Sequence, residues 1–358
     1  ARVIQGIGGS LMTPVGKLAL IKTFDKSELL KAMNFAIIPA LIGPVLGPLI
    51  GGYMVDYLSW HWIFLINLPI GILGIVLSVK YMPNYFSKII DFDFKGFLFF
   101  AAASLLLSIS LEWMGNAKNI TPVLLVFLMG FIFIYLYYRH AKKEENPIFP
   151  LELFMVRTFR VGFLGNLATR LGISSIPLLI PLMIQIAYGQ SAVVSGWIVA
   201  PMAITAMFGK SAVIKILNRF GYRKTLMFNT FLIGTLICLM AIPGINSSIY
   251  WFIPLILVLG FFNSIQFTSM NTISISDLRD NHTSSGNSLI PVNQQIAIGF
   301  GIAFGLIILK LFEGDTQLIK GNIHNAFRYT FLVMGILTIL SGFVFRRLHF
   351  RDGDNMKS

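Results

Sequence analysis

Apolar residues form long blocks along the whole chain, separated by short charged clusters. Each block has about the 20 residues that an α-helix needs to cross a bilayer, without the ten-residue alternation of a membrane barrel. Because backbone polar groups inside lipid must bond within their own helix, the pattern predicts an all-helical membrane protein. The predicted spans, each uncertain by about three residues at either end, are 1–21, 32–54, 61–82, 96–113, 120–138, 161–185, 196–214, 225–242, 249–275, 286–311 and 326–345.

The composition agrees with a chain that is embedded in lipid. Of the 358 residues, 56% are hydrophobic and 12% are charged, whereas a soluble domain carries about 25% charged residues. The mean hydropathy is +0.77. The net charge of +13 is spread over short connections rather than gathered on one face, which argues against nucleic-acid binding. Cys238 is the only cysteine, which excludes a disulfide within the chain and a cysteine metal site.

Positive charges indicate the orientation of the spans. Even-numbered connections contain only Lys118 and Lys320, whereas odd-numbered connections and the C-terminal tail hold most of the 28 Lys and Arg residues. Positive residues stay on the cytoplasmic side, so the odd connections and the C-terminus are predicted to be cytoplasmic. The tryptophans all lie at span edges on the opposite side, as an aromatic belt requires: Trp60, Trp62, Trp113, Trp197 and Trp251. This count places Ala1 outside or within the membrane, which predicts that an odd number of N-terminal helices is missing.

The second predicted span contains a ladder of small residues and prolines. Its members are Gly43, Pro44, Gly47, Pro48, Gly51 and Gly52. Small residues four apart allow two helices to approach closely, and each proline removes a backbone donor. Ordinary helix packing is the alternative to a functional role, and the doubled Gly-Pro pair favours the functional one.

The first predicted span begins with Arg2, followed by Gln5 and Gly6. An arginine within the membrane is costly without a partner, so a functional role is the default interpretation. A nucleotide-binding glycine loop is the rival interpretation. Leu11 stands where that motif has its third glycine, and no strand precedes it, which argues against this loop.

These two segments resemble two signatures of the major facilitator superfamily, the Arg-x-x-Gln-Gly stretch of the fourth helix and the antiporter motif of the fifth. The segment Ser59–Gly71 resembles the start of the sixth helix in the 14-helix drug/proton antiporter family, with His61 where arginine is common. Further stretches resemble the MdtD-like multidrug-exporter branch of that family: 218–224, 263–272 and 284–288. The similarity extends along almost the whole chain.

The resemblance implies a helix bundle of the major facilitator type in which span 1 corresponds to the fourth helix, so that about three helices are absent. The implied divisions are the rest of the N-terminal half (1–82), a central helix pair (83–138), a cytoplasmic linker (139–160), the C-terminal six-helix half (161–350) and a cytoplasmic tail (351–358). Arg2, Gln5, Gly6 and the glycine ladder are implied to act in coupling and gating.

The cluster from Asn218 to Lys224 resembles a degenerate form of the family's cytoplasmic gating loop, with Asn218 at the position of its acidic residue. The implied gating residues there are Asn218, Arg219, Gly221, Arg223 and Lys224. A simple topology signal is the alternative interpretation of this charge cluster.

Arg170 lies about nine residues into the sixth span, roughly 14 Å below the membrane surface, and needs an anion, a carbonyl or water there. Gly172, Pro177 and Pro181 predict a break in that span, with a static kink as the alternative. The predicted substrate cavity is lined by Asn166, Arg170, Gln185, Asn263, Gln266, Asn271 and Gln294, with interhelical hydrogen bonding as the alternative for each. Gly299, Gly301 and Gly305 weakly repeat the first glycine ladder, as duplicated transporter halves do.

The function that follows is secondary active export of amphipathic small molecules or drugs, in exchange for protons, by alternating access. An uptake transporter or a membrane sensor of the same fold is the alternative. Scattered histidines without metal-ligand spacing, and the lack of a nucleophile–base pair, argue against an enzyme. No metal and no cofactor are expected, the proton gradient being the energy source. The protein is expected to be a monomer in a bacterial inner membrane. Its expected partners are the lipid bilayer, protons and a small-molecule substrate.

Overall fold

The computed structural model describes residues 51–59, 61–82, 92–114, 120–278, 280–314 and 322–354, with scattered positions between residues 5 and 50. The chain divides into two compact units, Ala1–Ile89 and Ile90–Ser358. The described residues are mainly helical and contain no strand, which confirms the predicted all-helical fold class.

In the first unit, residues 51–57 are helical and are followed by α1 (Trp62–Leu65) and α2 (Asn67–Tyr81). Helix α2 ends at Tyr81. The next residue, Met82, has an extended backbone because it precedes Pro83, and a residue before proline disfavours the helical conformation. No side chain of α2 is buried within the protein, although nearly all of them are apolar. That exposure suits a helix that is surrounded by lipid.

The second unit contains the remaining described helices. These are α3 (Phe94–Met114), α4 (Ile120–Ala141), α5 (Arg157–Ile173), α6 (Ile176–Leu182), α7 (Ala192–Val199), α8 (Pro201–Leu239), α9 (Phe252–Ile275), α10 (Asp280–Gly314) and α11 (Ile323–Ser341). A π-helical turn follows α6 at Met183–Ala187, and 3-10 turns lie at Leu151–Met155, Ile249–Trp251 and Gly342–Arg347. Polar caps begin two of the helices: Ser191 accepts from the Val194 N–H, and Asn322 accepts from the His324 N–H.

Eight described stretches are long and apolar enough to cross a membrane. One of them, Ala192–Leu239, has 48 residues, which would extend about 72 Å if straight, against a hydrocarbon core of about 30 Å. Gly221 divides it, with φ 74° and ψ 165° in the midst of otherwise helical residues. The stretch is therefore long enough for two crossings, and the described stretches overlap every predicted span from 61–82 onward. Spans 1–21 and 32–54 lie largely outside the described residues.

Helical structure extends beyond the ends of the predicted spans 196–214 and 225–242. Helical structure continues to Phe220 and resumes at Tyr222, so only Gly221 departs from it. The charged residues Lys215 and Arg219 do not end the helix, because long basic side chains extend to water while their backbone stays helical. The sixth span is also longer than predicted and covers Arg157–Ala187.

The core of the second unit is aromatic and aliphatic. Phe159, Phe252, Phe327, Phe331 and Phe345 are fully buried between its helices. Large apolar side chains are also widely exposed on its surface, including Trp197, Phe208 and Phe228. Water would penalise this surface, whereas hydrocarbon does not.

Candidate functional site

Arg170 lies on α5, well inside the membrane-spanning stretch Arg157–Ala187. Its Nε donates to Asn166 Oδ1 at 2.7 Å, one helical turn earlier. Its guanidinium lies over the Phe267 ring of α9, 5.1 Å from the ring centroid. Within the described part of the chain, no carboxylate forms an ion pair with Arg170. Among the described residues, this cation is therefore stabilised by an amide and an aromatic face.

The helical structure of the span is interrupted a few residues after Arg170, near its glycine and prolines. Helix α5 ends at Ile173, residues 174–175 form a turn, and α6 starts at Ile176. Pro177 has no N–H to donate to the Ile173 carbonyl, and Pro181 likewise leaves the Pro177 carbonyl without its usual donor. The buried hydroxyl of Ser174 and the buried Nδ2 of Asn166 have no hydrogen-bond partner among the described residues. Unused polar groups thus surround Arg170.

Glycines allow the neighbouring helices to pack closely against this break. A Cβ at Gly172 would collide with Thr338 Oγ1 of α11 and lie 2.7 Å from the Met334 carbonyl. A Cβ at Gly301 of α10 would collide with the Arg170 carbonyl and lie 2.9 Å from Ser174 Cβ. A Cβ at Gly305 would lie 2.5 Å from Ser175 Cβ, whereas Gly299 has no neighbour within 4 Å. Two of the three glycines in the second ladder therefore contact the broken span.

Gln266 of α9 joins a second polar group, which lies beside the first. Its Oε1 accepts from Asn229 Nδ2, and its Nε2 donates to Thr230 Oγ1, both at 2.8 Å. Asn229 Nδ2 also donates to the Phe262 carbonyl at 2.8 Å. Gln266 is only 3% exposed, so these bonds satisfy an amide that would otherwise be costly in the bundle.

The predicted cavity residues fall into three groups. Arg170, Asn263 and Gln266 line one cavity of about 10 Å³, enough for roughly one water molecule, and Asn166 bonds to Arg170. Gln294 Nε2 donates to Asn271 Oδ1 at 2.6 Å, which links α10 to α9. Gln185 Nε2 donates to Ser195 Oγ at 3.1 Å and lies 15 residues beyond Arg170, roughly 22 Å along the span. A substrate-binding role for these residues stays a prediction.

The predicted coupling residues of the first unit are only partly described. Arg2, Pro44 and Pro48 lie outside the described residues, while Gln5, Gly6, Gly43, Gly47, Gly51 and Gly52 are helical. Among the described atoms, none lies within 4 Å of a Cβ built at Gly6, Gly43, Gly47 or Gly51. The close helix contact that the ladder predicts therefore stays a prediction.

Helical structure runs through the cluster from Asn218 to Lys224 except at Gly221, and a gating role for this cluster stays a prediction. Gly221 forms a kink between the two halves of α8, in a conformation that residues with a Cβ rarely adopt. The Arg219 guanidinium lies 5.4 Å from the centroid of the adjacent Phe220 ring. In the described chain, no carboxylate pairs with Arg219, Arg223 or Lys224.

One polar contact that sequence reasoning missed ties the C-terminus to the start of α5. Arg157 donates through Nε to Asp352 Oδ2 at 3.1 Å and through Nη2 to Asp352 Oδ1, and Asp352 Oδ2 also accepts from the His349 N–H at 2.7 Å. Asp352 is only 8% exposed. Residues 351–354, the described part of the predicted tail, therefore pack against the bundle. Nothing in the sequence signals a contact between residues that are 195 positions apart.

A second missed contact joins the central helix pair to the linker. Asp93 Oδ1 accepts from the Gly96 N–H at 2.8 Å and lies 2.7 Å from His140 Nε2, while its Oδ2 accepts from the Ile148 N–H at 3.4 Å. Burial raises the pKa of this carboxyl, but these hydrogen bonds and His140 outweigh that effect and hold the pKa below its ordinary value. Glu144 Oε2 lies 3.9 Å from the same His140 nitrogen. We interpret the cluster as a structural contact between α3, α4 and the linker, because both carboxylate oxygens of Asp93 accept hydrogen bonds from the protein.

At the opposite end of the bundle, Tyr188 donates to the Gly244 carbonyl at 3.1 Å and lies 3.1 Å from His324 Nε2. Burial raises the pKa of Tyr188, and the nearby charge of Arg328 partly offsets this. Arg328 Nε donates to the Ala241 carbonyl, which closes this end of α8 against α11. A lone arginine within a predicted span was the only sequence signal for this contact.

Taken together, these features define a polytopic helical membrane protein with a broken span and a charged, incompletely paired site at its centre. The sequence profile of the Major Facilitator Superfamily matches residues 1–302 and, in a second match, residues 162–357. The chain belongs to the major facilitator superfamily of transporters. The family and the relatives described next indicate a transporter and not an enzyme.

Several proteins are similar along the whole chain. The probable transport protein HsrA of Haemophilus influenzae is 40% identical over 358 residues, which are 100% of this chain and 77% of that protein. Two putative multidrug resistance proteins, both MdtD, cover 97% of this chain: that of Pectobacterium atrosepticum is 38% identical over 75% of its length, and that of Escherichia coli strain 55989 is 36% identical over 74%. These relatives confirm the resemblance that the motifs indicated.

Among solved structures, the nucleoside transporter NupG aligns with 92% of this chain and 87% of its own, at 14% identity and a TM-score of 0.43. That likeness is too low to carry an argument about mechanism or substrate.

Proposed function

We propose that the protein exports amphipathic small molecules, with drugs as the substrate class, in exchange for protons. Two of the relatives described above carry multidrug resistance in their names, which supports this substrate class. The observation that carries the proposal is Arg170, a cation inside a span with no carboxylate partner in the described chain. Such a residue is costly in a membrane and is retained where an ion or substrate pathway uses it.

Arg170 lies next to an interruption in its helix, where a shift of the neighbouring helices would change the size of the cavity. The cavity it shares with Asn263 and Gln266 is about 10 Å³, too small for a substrate, so substrate binding requires the surrounding helices to separate. The close contacts of Gly301 and Gly305 with residues 170–175 allow α10 to slide on the broken span. Alternating access would open this cavity to one side of the membrane at a time.

The remaining roles in the proposal follow from family membership and the loop charges. The coupling and gating residues are Arg2, Gln5, Gly6, Gly43, Pro44, Gly47, Pro48, Gly51, Gly52, Asn218, Arg219, Gly221, Arg223 and Lys224. The protein acts as a monomer in a bacterial inner membrane, with its C-terminus in the cytoplasm. The proton gradient supplies the energy, and no cofactor takes part.

The test is efflux of ethidium from cells that express the full-length gene product, with membrane levels matched between variants. Arg170→Ala should lower proton-driven efflux at least about tenfold, because the central cation is lost, and Arg170→Lys should retain part of it. Lys210→Ala is the control, since it removes an exposed cation from another span. If Arg170→Ala lowers only the protein level and the remaining protein transports normally, Arg170 is structural. Faster dye accumulation on energisation would instead indicate an uptake transporter.

A further inference from the structure

A groove runs between the two halves of α8 and the facing side of α9. It encloses about 460 Å³. Its apolar wall is formed by Ile216, Phe220, Phe228, Phe262 and Ile265. Phe220 and Phe228 are more than half exposed, so the groove opens on the surface of the second unit. An apolar groove in this position accommodates a hydrocarbon chain.

One end of the groove is strongly basic. A second cavity of about 320 Å³ is lined by Arg219, Arg223 and Lys224, and it shares Phe220 and Lys224 with the groove. Three cations therefore lie within one turn of the chain, and none of them pairs with a carboxylate in the described residues. Their combined charge attracts an anion to the end of the apolar groove.

The Thr225 hydroxyl is an independent indication that a ligand binds in the groove. It lines the groove and is 6% exposed, yet its buried Oγ1 has no hydrogen-bond partner among the described residues. Threonines in these helices usually donate to the carbonyl four residues earlier, as Thr230 does to Leu226. For Thr225 that residue is Gly221, whose ψ of 165° turns its carbonyl out of the helical direction. The turn that brings the cations together thus also leaves this hydroxyl unused.

We propose that this groove binds one anionic phospholipid of the surrounding bilayer. An acyl chain occupies the apolar groove, the phosphate lies among Arg219, Arg223 and Lys224, and the Thr225 hydroxyl donates to a phosphate or ester oxygen. Basic pockets between membrane helices bind anionic head groups in this manner. The proposal depends neither on the transported substrate nor on the side of the membrane that this turn faces.

The test is native mass spectrometry of the purified full-length protein in detergent, titrated with palmitoyl-oleoyl phosphatidylglycerol or with the zwitterionic phosphatidylcholine of the same chains. The wild-type protein should bind the anionic lipid at least about tenfold more tightly. Lys224→Gln should weaken that binding about fivefold, as expected for one cation near a membrane surface. Thr225→Val keeps the side-chain shape, removes the hydroxyl and should weaken binding by a similar factor.

Lys215→Gln is the matched control, because Lys215 lies on the same helix but lines neither cavity. Its affinity for phosphatidylglycerol should stay within about twofold of wild type. Tryptophan fluorescence during thermal unfolding checks that each variant is folded. Equal affinity for the two lipids, or equal loss in Lys215→Gln and Lys224→Gln, would overturn the proposal. Full displacement by millimolar inorganic phosphate would also overturn it, since the groove would then contribute nothing.

Discussion

At the scale of single residues, Asp93 connects the start of α3 to the end of α4 and the linker that follows it. Its carboxylate accepts from the N–H groups of Gly96 and Ile148 and contacts His140. Because the pKa of Asp93 is held below its ordinary value of 3.8, the ionised carboxylate stabilises the folded protein. This contribution is present above the unfolded pKa, and it is lost as the pH falls through the lower pKa of the folded protein.

Replacing Asp93 with asparagine removes the charge and keeps the side-chain shape. We expect Asp93→Asn to cost about 1 kcal/mol of stability at pH 6, and we expect the difference from wild type to shrink below about pH 4. Thermal unfolding followed by tryptophan fluorescence from pH 3 to pH 7 measures it. Glu145→Gln, an exposed change in the same linker, should match wild type throughout. A difference that stays constant with pH would mean that the charge of Asp93 does not matter.

Arg170 and Gln266 show how far the sequence predicts the site. Both are polar residues in apolar spans, and both were predicted to line a substrate cavity. In the structure both the amide oxygen and the amide nitrogen of Gln266 are hydrogen-bonded, to Asn229 and Thr230, whereas Arg170 has an amide and a ring as partners. The partners of Gln266 lie 36 and 37 positions away. Hydropathy identifies a polar residue in a span, but only packing shows whether its hydrogen bonds are already made.

At the scale of elements, the second glycine ladder offers a matched pair of positions on α10. Gly301→Ala would place a methyl group against the Arg170 carbonyl and Ser174, whereas Gly299→Ala meets no described atom within 4 Å. We expect Gly301→Ala to lower dye efflux at least about fivefold, because α10 can no longer approach the broken span. Gly299→Ala should transport normally, at matched membrane levels. Equal activity of the two variants would exclude the contact from the transport cycle.

The turn within α8 gives a second prediction for this scale. Gly221 has φ 74°, so Gly221→Ala should cost about 1–3 kcal/mol through backbone strain. The expected observation is a lower unfolding temperature in detergent. Gly244→Ala serves for comparison, because this turn glycine has no positive φ and its Cβ would meet only Ser247 Oγ at 3.8 Å. An unchanged unfolding temperature for Gly221→Ala would show that the turn relaxes without strain.

Sequence patterns predicted the interruption in the sixth span but not the full length of α8, and each outcome has a physical reason. The break after Arg170 was predictable because proline removes donors wherever it occurs. The continuation of α8 to Phe220 was not predictable, because charged residues such as Lys215 and Arg219 mark the edge of the hydrocarbon region but do not end a helix. Hydropathy predicts where a span leaves the lipid. A helix ends only where the backbone dihedral angles change, here at Gly221.

At the scale of the whole molecule, the distribution of Lys and Arg predicts which ends of the spans face the cytoplasm. Ser247 lies in an even-numbered connection and Lys143 in an odd-numbered one. In a Cys238→Ser background, which removes the only cysteine of these 358 residues, Ser247→Cys should react with an impermeant maleimide in intact cells. Lys143→Cys should react only after the membrane is permeabilised. The reverse pattern would invert the proposed topology.

The contact between Arg157 and Asp352 bears on how this protein is handled in practice. A reporter or affinity tag fused directly after Phe350 would delete the buried Asp352 carboxylate and leave Arg157 and the His349 N–H without it. Truncation at that point is therefore expected to loosen the start of α5, thirteen residues before Arg170. Fusions that begin after Ser358 keep this anchor, so their fluorescence or yield reports on the intact bundle.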